Sequence, residues 1–173
     1  MLRGINVGSH KQVKMEVLRK VFESLGFSHV KTFLNSGNVV FETERSDPGV
    51  LKTKIEEVLK KEFGFEISVL VRSMDEIRKL VESAPFKEVV VTPQTRLYVT
   101  FLSDKPKSKL KIPYESPERD FKILRISENE VCSVIAVSSN RNTTDLMSMI
   151  EKEFGKAVTT RNWNTVTKLS NLE

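Results

Sequence analysis

The sequence predicts an α+β protein of two halves, with a linking helix between them and a further helix at the C-terminus. Apolar residues recur at helical spacing in some segments and alternate at strand spacing in others. Short turn signals between apolar runs indicate two β-hairpins. The order of elements in the first half returns, less completely, in the second. We therefore place the halves at residues 1–84, which include the linking helix, and 85–173.

The first half opens with Leu2–Val7, a short apolar stretch that predicts a strand although Gly4 interrupts it. An amphipathic helix follows, since apolar residues recur every three or four positions at Met15, Leu18, Phe22 and Leu25. The turn signal Asn35-Ser36-Gly37 then predicts a hairpin between two short strands, Val30–Leu34 and Asn38–Glu42.

A second helix is predicted after Asp47-Pro48, where a capping residue precedes the proline favoured at the first helical position. Gly64 ends it, and alternation from Phe65 to Val71 predicts a strand with one buried face. The linking helix opens at the capping box Ser73–Glu76 and stops at Ala84-Pro85. The resulting order, β-α-β-β-α-β, is that of a ferredoxin-like α/β-plait.

The second half predicts a strand at Arg96–Leu102 and a hairpin of Phe121–Ile126 with Val131–Val137. Glu88–Thr92 is a candidate edge strand. Three prolines in 103–117 limit any helix there to a couple of turns near Lys107–Lys111. Three further elements follow: a helix ending at Phe154, a short strand at Ala157–Thr160, and a last helix capped by Asn162 that buries Trp163. This is a second, less complete ferredoxin-like half.

Composition sets broad limits on function. Hydrophobic residues make up 39% and charged residues 29% of 173, which is ordinary for a globular protein. No apolar run approaches the roughly 20 residues that span a bilayer, and no secretion signal opens the chain, so we expect a cytoplasmic protein without a membrane partner. Cys132 is the only cysteine, and His10 and His29 are the only histidines, so no metal site and no cofactor are predicted.

The net charge of +5 favours polyanionic partners. The one local concentration, Lys105, Lys107, Lys109 and Lys111, suits either solvated loop lysines or a nucleic-acid contact. RNA-recognition motifs share the ferredoxin-like order, but Arg3 stands where they carry a stacking aromatic, and Phe41 lacks its preceding aromatic partner. Nucleic-acid binding of that type is therefore disfavoured, and the sequence does not set the oligomeric state.

Three stretches of the chain resemble the uncharacterised DUF1697 family: Leu2–Gly8, Leu34–Phe41 and Arg161–Leu169. The pair Lys14-Met15 and the triplet Leu25-Gly26-Phe27 fit the same family. The resemblance reaches both ends of the chain and implies a two-part ferredoxin-like α+β fold, with no activity or catalytic residue attached. Family members usually carry a few more apolar residues before the first stretch, so we expect a clipped first strand.

The first candidate site is the glycine-bearing connection from Gly4 to Lys14. Backbone N–H groups, a helix N-terminus and nearby lysines together suit an anion, and the candidate ligand contacts are Arg3, Asn6, Gly8, Lys11 and Lys14. It is not a Walker A loop, because Gly8 comes one place early and Ser9 follows it. The alternative is that the glycines serve only a tight turn.

The other two stretches that resemble the family contain two further candidate sites. Asn35, Ser36 and Asn38 form either a self-bonded turn or a polar recognition loop. Asn162 and Trp163 begin the last helix, and Lys168 follows further along it; the tryptophan is either a docking anchor or a ligand-stacking lid. The sequence does not establish whether the three candidates share one site.

The first hypothesis is that the protein is a module that binds a small anionic ligand or a nucleotide. The alternatives are an enzyme acting on a phosphorylated or nucleotide-like substrate, with His10 as general base, and a nucleic-acid-binding protein. A structural protein that pairs through exposed sheet edges is a further hypothesis.

Overall fold

The computed structural model describes residues 1–8, 11–136 and 144–172. Over these residues the chain forms five helices and two antiparallel sheets, which confirms the α+β class. It divides into a first unit, Met1–Arg72, and a second unit, Ser73–Glu173. Within the described ranges no helix is long and apolar enough to cross a membrane.

The first unit contains two helices and a two-stranded sheet: α1 (Met15–Ser24), β1 (Ser28–Phe33), β2 (Asn38–Glu42) and α2 (Pro48–Phe63). The second unit contains three helices and a five-stranded sheet: α3 (Met74–Glu82), β3 (Thr95–Leu102), β4 (Tyr114–Glu115), β5 (Phe121–Ile126), β6 (Glu130–Ala136), α4 (Thr144–Phe154), β7 (Val158–Asn162) and α5 (Trp163–Ser170).

Local signals placed the helices of the first unit correctly. The Asp47 carboxylate accepts the N–H groups of Gly49 at 2.7 Å and Val50 at 3.2 Å, with Pro48 at the start of α2. Gly64 ends α2 in a left-handed conformation, as predicted. The hairpin of β1 and β2 is confirmed, with Phe33 opposite Asn38.

The strands predicted at Leu2–Val7 and Phe65–Val71 are wrong, because they meet only in a single bridge between Leu2 and Val69. Gly4 and Asn6 adopt positive φ angles of 65° and 53°, which end the extended conformation after Arg3. The first residues still lie between two other segments. Leu2 N–H donates to Gly37 O at 2.8 Å on one side, and Arg3 N–H donates to Ser68 O at 2.9 Å on the other.

The core of the first unit joins both helices to these first residues. Leu2, Leu18, Phe22, Ile55 and Leu59 are at most 1% exposed. Aromatic rings extend the core toward the hairpin: Phe27 stacks on Phe41 with centroids 4.3 Å apart, and Phe22 meets Phe41 edge-on at 5.4 Å. The apolar start of the chain is therefore part of the core.

The sheet of the second unit has the order β4-β5-β6-β3-β7, and every neighbouring pair is antiparallel. One face packs on α4, whose Leu146 and Ile150 are 1% exposed among buried residues of β5, β6 and β7. On the opposite side of the unit, α5 packs against α3 and contacts β3 and β7. Strands β3, β5 and β6 and the hairpin of β5 and β6 are as predicted, although Val137, the predicted end of β6, lies outside the described residues.

Other expectations for the second unit need correction. The candidate edge strand Glu88–Thr92 does not form, because the sheet ends at β4 and β7 and this segment lies outside it. Residues 103–117 contain no helix, and Tyr114–Glu115 adds a two-residue strand to the edge of β5 instead. The capping box of α3 is confirmed. Contacts group this helix with the second unit, and the boundary after residue 84 stays a prediction.

Replacing Gly37 by alanine tests the close approach in the first unit. A Cβ atom there would lie 2.7 Å from Ile5 Cδ1 and 2.8 Å from Leu2 Cβ, and the residue has a φ of +76°. We expect Gly37→Ala to lower the free energy of unfolding by about 3 kcal/mol in urea denaturation, from overpacking and left-handed strain together.

Gly64→Ala is the matched control for this substitution. Gly64 has the same φ of +76°, but nothing lies within 4 Å of its added Cβ atom. Only the cost of placing alanine in the left-handed conformation remains, so we expect the free energy of unfolding to fall by about 1 kcal/mol. Equal losses for the two variants would show that the packing against Leu2 and Ile5 does not matter.

The thiol of Cys132 gives a second test, in the core of the second unit. Cys132 is fully buried in β6, and burial raises the pKa of its thiol to about 11. At pH 8 the reactive thiolate should be scarcer than in an exposed cysteine by about 100-fold or more, so a thiol reagent should label the protein only as it unfolds.

The same pKa shift predicts a pH dependence of stability. Above about pH 9 the unfolded chain ionises its thiol while the folded chain does not, so the contribution of Cys132 to stability falls as the pH rises toward 11. A Cys132→Ala variant should lack this part of the pH dependence. Rapid labelling of the folded protein at pH 8 would contradict the burial.

Candidate functional site

The connection before α1 bends through several left-handed residues. Gly4, Asn6, Gly8 and Lys11 have φ angles of 65°, 53°, 60° and 48°. Such angles suit glycine and asparagine and are strained for lysine, so tertiary contacts must hold the loop. His10 lies outside the described residues, and its role as a general base stays a prediction.

Asn6 supplies those contacts. Its side-chain oxygen accepts the Val13 N–H at 2.8 Å, and its side-chain nitrogen donates to Val13 O at 3.0 Å. The same nitrogen donates to Asn35 O at 2.8 Å, while Asn6 N–H donates to Lys11 O at 3.1 Å. The first two candidate stretches therefore meet at Asn6, which closes the loop and fixes it to the hairpin turn.

The two lysines of the loop occupy different positions. Lys11 Nζ donates to Glu66 O at 2.8 Å and lies 5.7 Å from the centre of the Phe65 ring. Lys14 is exposed and is the N-cap of α1. A lysine side chain has no acceptor atom, so it caps none of the first N–H groups of the helix.

The remaining predicted residues of this region have structural neighbours. The Gln12 side chain donates to Gly8 O at 2.8 Å, which closes the exposed end of the loop. Arg3 is partly buried, and its backbone pairs with Ser68. Ligand contacts of Arg3 and Gly8 stay predictions.

The hairpin turn is held by its own polar groups. Asn38 is buried, and its side-chain nitrogen donates to Phe33 O at 3.1 Å and to Ser36 Oγ at 3.0 Å. Asn35 contributes its carbonyl to Asn6 and leaves its side chain exposed. Among these three residues, Asn35 therefore presents the side chain most open to a ligand.

The charge around the loop is mixed. A hydrogen bond from Lys60 at 2.9 Å holds the pKa of the Glu66 carboxyl below its usual range, and Lys11 lowers this pKa further. Glu56, Glu57 and Glu66 line a hollow of about 280 Å³ together with Lys60. This acidic hollow is unfavourable for an anion. The start of α1 has one acidic residue in its first turn, Glu16, whose pKa is lowered by a hydrogen bond from Lys20 and also by Lys14.

The third candidate lies in the second unit. Asn162 caps α5 as predicted, since its side-chain oxygen accepts the Asn164 N–H at 2.9 Å. The half-buried Trp163 meets Phe86 edge-on with ring centroids 5.1 Å apart, and this contact docks the start of α5. Lys168 is exposed in the last turn of the helix. Ligand contacts of these residues stay predictions.

Sequence reasoning missed Arg161, the buried residue that precedes this cap. Its guanidinium donates to Thr159 Oγ1 and to Thr160 O, both at 2.9 Å. Burial lowers the pKa of Arg161 to about 10, which leaves it charged at neutral pH. Arginine at a strand end is usually exposed, so no signal in one sequence identifies this burial.

Two other predictions concern surface chemistry. Lys105 pairs with Glu128 at 2.8 Å, and the other lysines of 105–111 are exposed. In the described part of the chain, no group of three His, Cys, Asp or Glu side chains is arranged to hold a metal ion.

The second unit contains a cleft of about 350 Å³ that the sequence did not predict, because two valines that line it, Val89 and Val90, were interpreted as part of an edge strand.

Asn6→Ala tests how the loop is held. The substitution removes three side-chain hydrogen bonds and leaves Val13 N–H and two carbonyl groups without them. We expect the free energy of unfolding to fall by about 2 kcal/mol and the Val13 amide to exchange faster with solvent. Asn35→Ala is the control, because Asn6 uses only the backbone of Asn35; a loss as large as that of Asn6→Ala would contradict this assignment.

Comparisons with known proteins agree with the resemblance in the sequence. The chain is similar in fold to the conserved bacterial protein SP0830 from Streptococcus pneumoniae, with a TM-score of 0.69 over 98% of this chain and 94% of that one. At 21% identity this similarity concerns the fold alone. No curated protein matches the chain.

The model of a family described as a protein of unknown function, DUF1697, matches residues 1–132. The match includes the loop before α1 and the hairpin turn, while the third stretch, Arg161–Leu169, lies beyond the matched residues. It covers well over half of the chain. The chain therefore belongs to the DUF1697 family.

Proposed function

We propose that the protein binds a small anionic ligand, such as a phosphate-bearing metabolite or a nucleotide, at the loop from Gly4 to Lys14. The observation that carries the proposal is the start of α1. This helix begins directly after the loop, and its N-cap, Lys14, supplies a positive charge where α2, α3 and α5 have a side-chain acceptor. An anion there would accept the first N–H groups of the helix and pair with the lysine.

Preorganisation of the loop also supports the proposal. Asn6 closes the loop onto Val13, two residues before α1 begins, and binds it to the hairpin turn at Asn35. The entry to the helix therefore needs little ordering when a ligand binds, which lowers the entropic cost of binding. Gly8 leaves open space where a side chain would stand, so an anion can approach its backbone.

We further propose that both units are ferredoxin-like halves. In the second unit β3 lies between β6 and β7, the two strands joined through α4, and β6 lies between β3 and β5. This interleaving is characteristic of a split βαβ arrangement. In the first unit Leu2 has an equivalent place between Gly37, which precedes β2, and Val69, which follows α2. Short or absent strands distinguish this half from a complete plait.

Lys14→Ala tests the ligand site. Titration of the protein with inorganic phosphate, and then with a panel of nucleotides and sugar phosphates, should give saturable binding by calorimetry. Loss of one ammonium contact should weaken that binding by about 3- to 10-fold, without a change in the thermal midpoint of the free protein.

Lys61→Ala is the matched control, since Lys61 is an exposed helical lysine of the same unit that lies in the last turn of α2 and not at the start of α1. It should leave phosphate binding unchanged. If neither phosphate nor any member of the panel binds, or if the two variants lose affinity equally, the proposal is wrong.

A further inference from the structure

The cleft in the second unit has the dimensions of a small-molecule site. It encloses about 350 Å³, within the range of roughly 300–1,000 Å³ that is typical of ligand pockets. Its floor is formed by β5 and β6, and one wall by residues 88–90 with Thr95. None of these residues belongs to the loop that we propose as the anion site.

The floor of the cleft is apolar. Val134 lies opposite Lys122 in the ladder of β5 and β6, and Ala136 follows on the same face of β6. Val131 and Ile135 point to the other face, where they pack in the core beside α4. The face that carries Val134 is therefore the one opposite α4, and Leu124 adds a further half-buried side chain to this floor.

The wall of the cleft adds apolar surface that is exposed to solvent. Val90 is 83% exposed although it borders the cleft. A ligand with an apolar body would remove this surface from water, which favours binding. The next residue, Val91, is 64% exposed but does not line the cleft, so it offers an internal comparison.

Arg119 stands at the rim of the cleft in a strained conformation. Its φ of 57° is held by a turn around the buried Ser116, which accepts the Arg119 N–H at 2.9 Å through its carbonyl. The Ser116 hydroxyl accepts the N–H groups of Asp120 and Phe121 at 3.0 and 3.1 Å. This rigid turn directs the chain so that Arg119 is exposed beside the apolar floor.

The other charges beside Arg119 have partners. The Asp120 carboxylate accepts the Ser116 hydroxyl at 2.6 Å, and Lys122 pairs with Glu115 at 3.3 Å. Within the described residues the Arg119 guanidinium has no such partner. On the opposite wall Glu88 is exposed, and its carboxylate and that of Asp120 are the two charges of the cleft that would repel an anion.

We propose that this cleft binds a small molecule that combines an apolar body with one carboxylate. The apolar body lies on Val134 and Leu124 against Val90, and the carboxylate pairs with the Arg119 guanidinium, whose planar fork suits two parallel hydrogen bonds. The site lies in the second unit and is independent of phosphate binding at Lys14.

The test compares carboxylates with neutral analogues of the same shape. Hexanoate, phenylacetate and indole-3-acetate are titrated into the whole protein and followed by ¹H–¹⁵N NMR, beside hexanamide, phenylacetamide and indole-3-acetamide. At least one acid should bind saturably at millimolar concentration or below, with shifts at residues 88–90 and 134–136. Its amide should bind about tenfold more weakly, because it lacks the charge for Arg119.

Variants separate the apolar contact from the charged one. Val90→Ser should weaken binding of the acid by about 3-fold through lost apolar contact, and Val91→Ser should not. Arg119→Ala should reduce binding of the acid to the level of its amide, whereas Arg78→Ala, an exposed arginine of α3, should have no effect. Glu88→Gln should strengthen binding of the acid, because it removes one of the two repelling charges.

Three results would overturn the proposal: none of the acids binding up to about 20 mM, acids and amides binding equally, or Val90→Ser and Arg119→Ala leaving binding unchanged. Val90 is exposed, so its substitution does not endanger folding, and a folded but unresponsive variant is a clear negative. Phosphate titration of the same samples reports separately on the loop before α1.

Discussion

The first unit depends on the close approach of the chain at Gly37 to its first residues. Leu2 N–H donates to Gly37 O at 2.8 Å, and a Cβ on Gly37 would lie 2.7 Å from Ile5 Cδ1. Only glycine permits this spacing at a φ of +76°. Because Leu2 and Ile5 are thereby held in the core, the loop that follows them starts from a fixed position. The hairpin turn and the core meet at this contact, and the loop of the candidate site begins beside it.

In the loop that follows, most polar groups hold the structure together, and a few are available to bind a ligand. The amide of Asn6 bonds to Val13 and Asn35 and so serves the loop itself. Lys11 reaches Glu66 O, which leaves Lys14 as the exposed lysine at the entry to α1. A family motif rich in asparagine and glycine thus has a structural explanation for most of its polar side chains. The proposed anion site uses the polar groups that have no such structural role, namely the first backbone N–H groups of α1 and the ammonium group of Lys14.

Sequence reasoning succeeded where the signal was local. Asp47-Pro48, Ser73 and Asn162 begin helices because each satisfies N–H groups within a few residues, and such capping needs no tertiary contact. It failed at Leu2–Val7, because the left-handed conformation of Asn6 depends on Asn35, far along the chain. The sequence also did not predict the contact between these two candidate stretches, or the cleft. Both form only where segments that are distant in the sequence come together. At 88–92, β-propensity predicted a strand, but this segment pairs with neither edge strand of the sheet.

The central claim, that the start of α1 is an anion site, is tested most directly by the backbone amides themselves. A ¹H–¹⁵N titration with inorganic phosphate reports on each amide separately. The account predicts saturable shifts at Gly8 and in the first turn of α1, at Met15, Glu16 and Val17, with the remaining residues little changed. Shifts confined to the exposed lysines of 105–111, or a response at the first turn no larger than elsewhere, would contradict it.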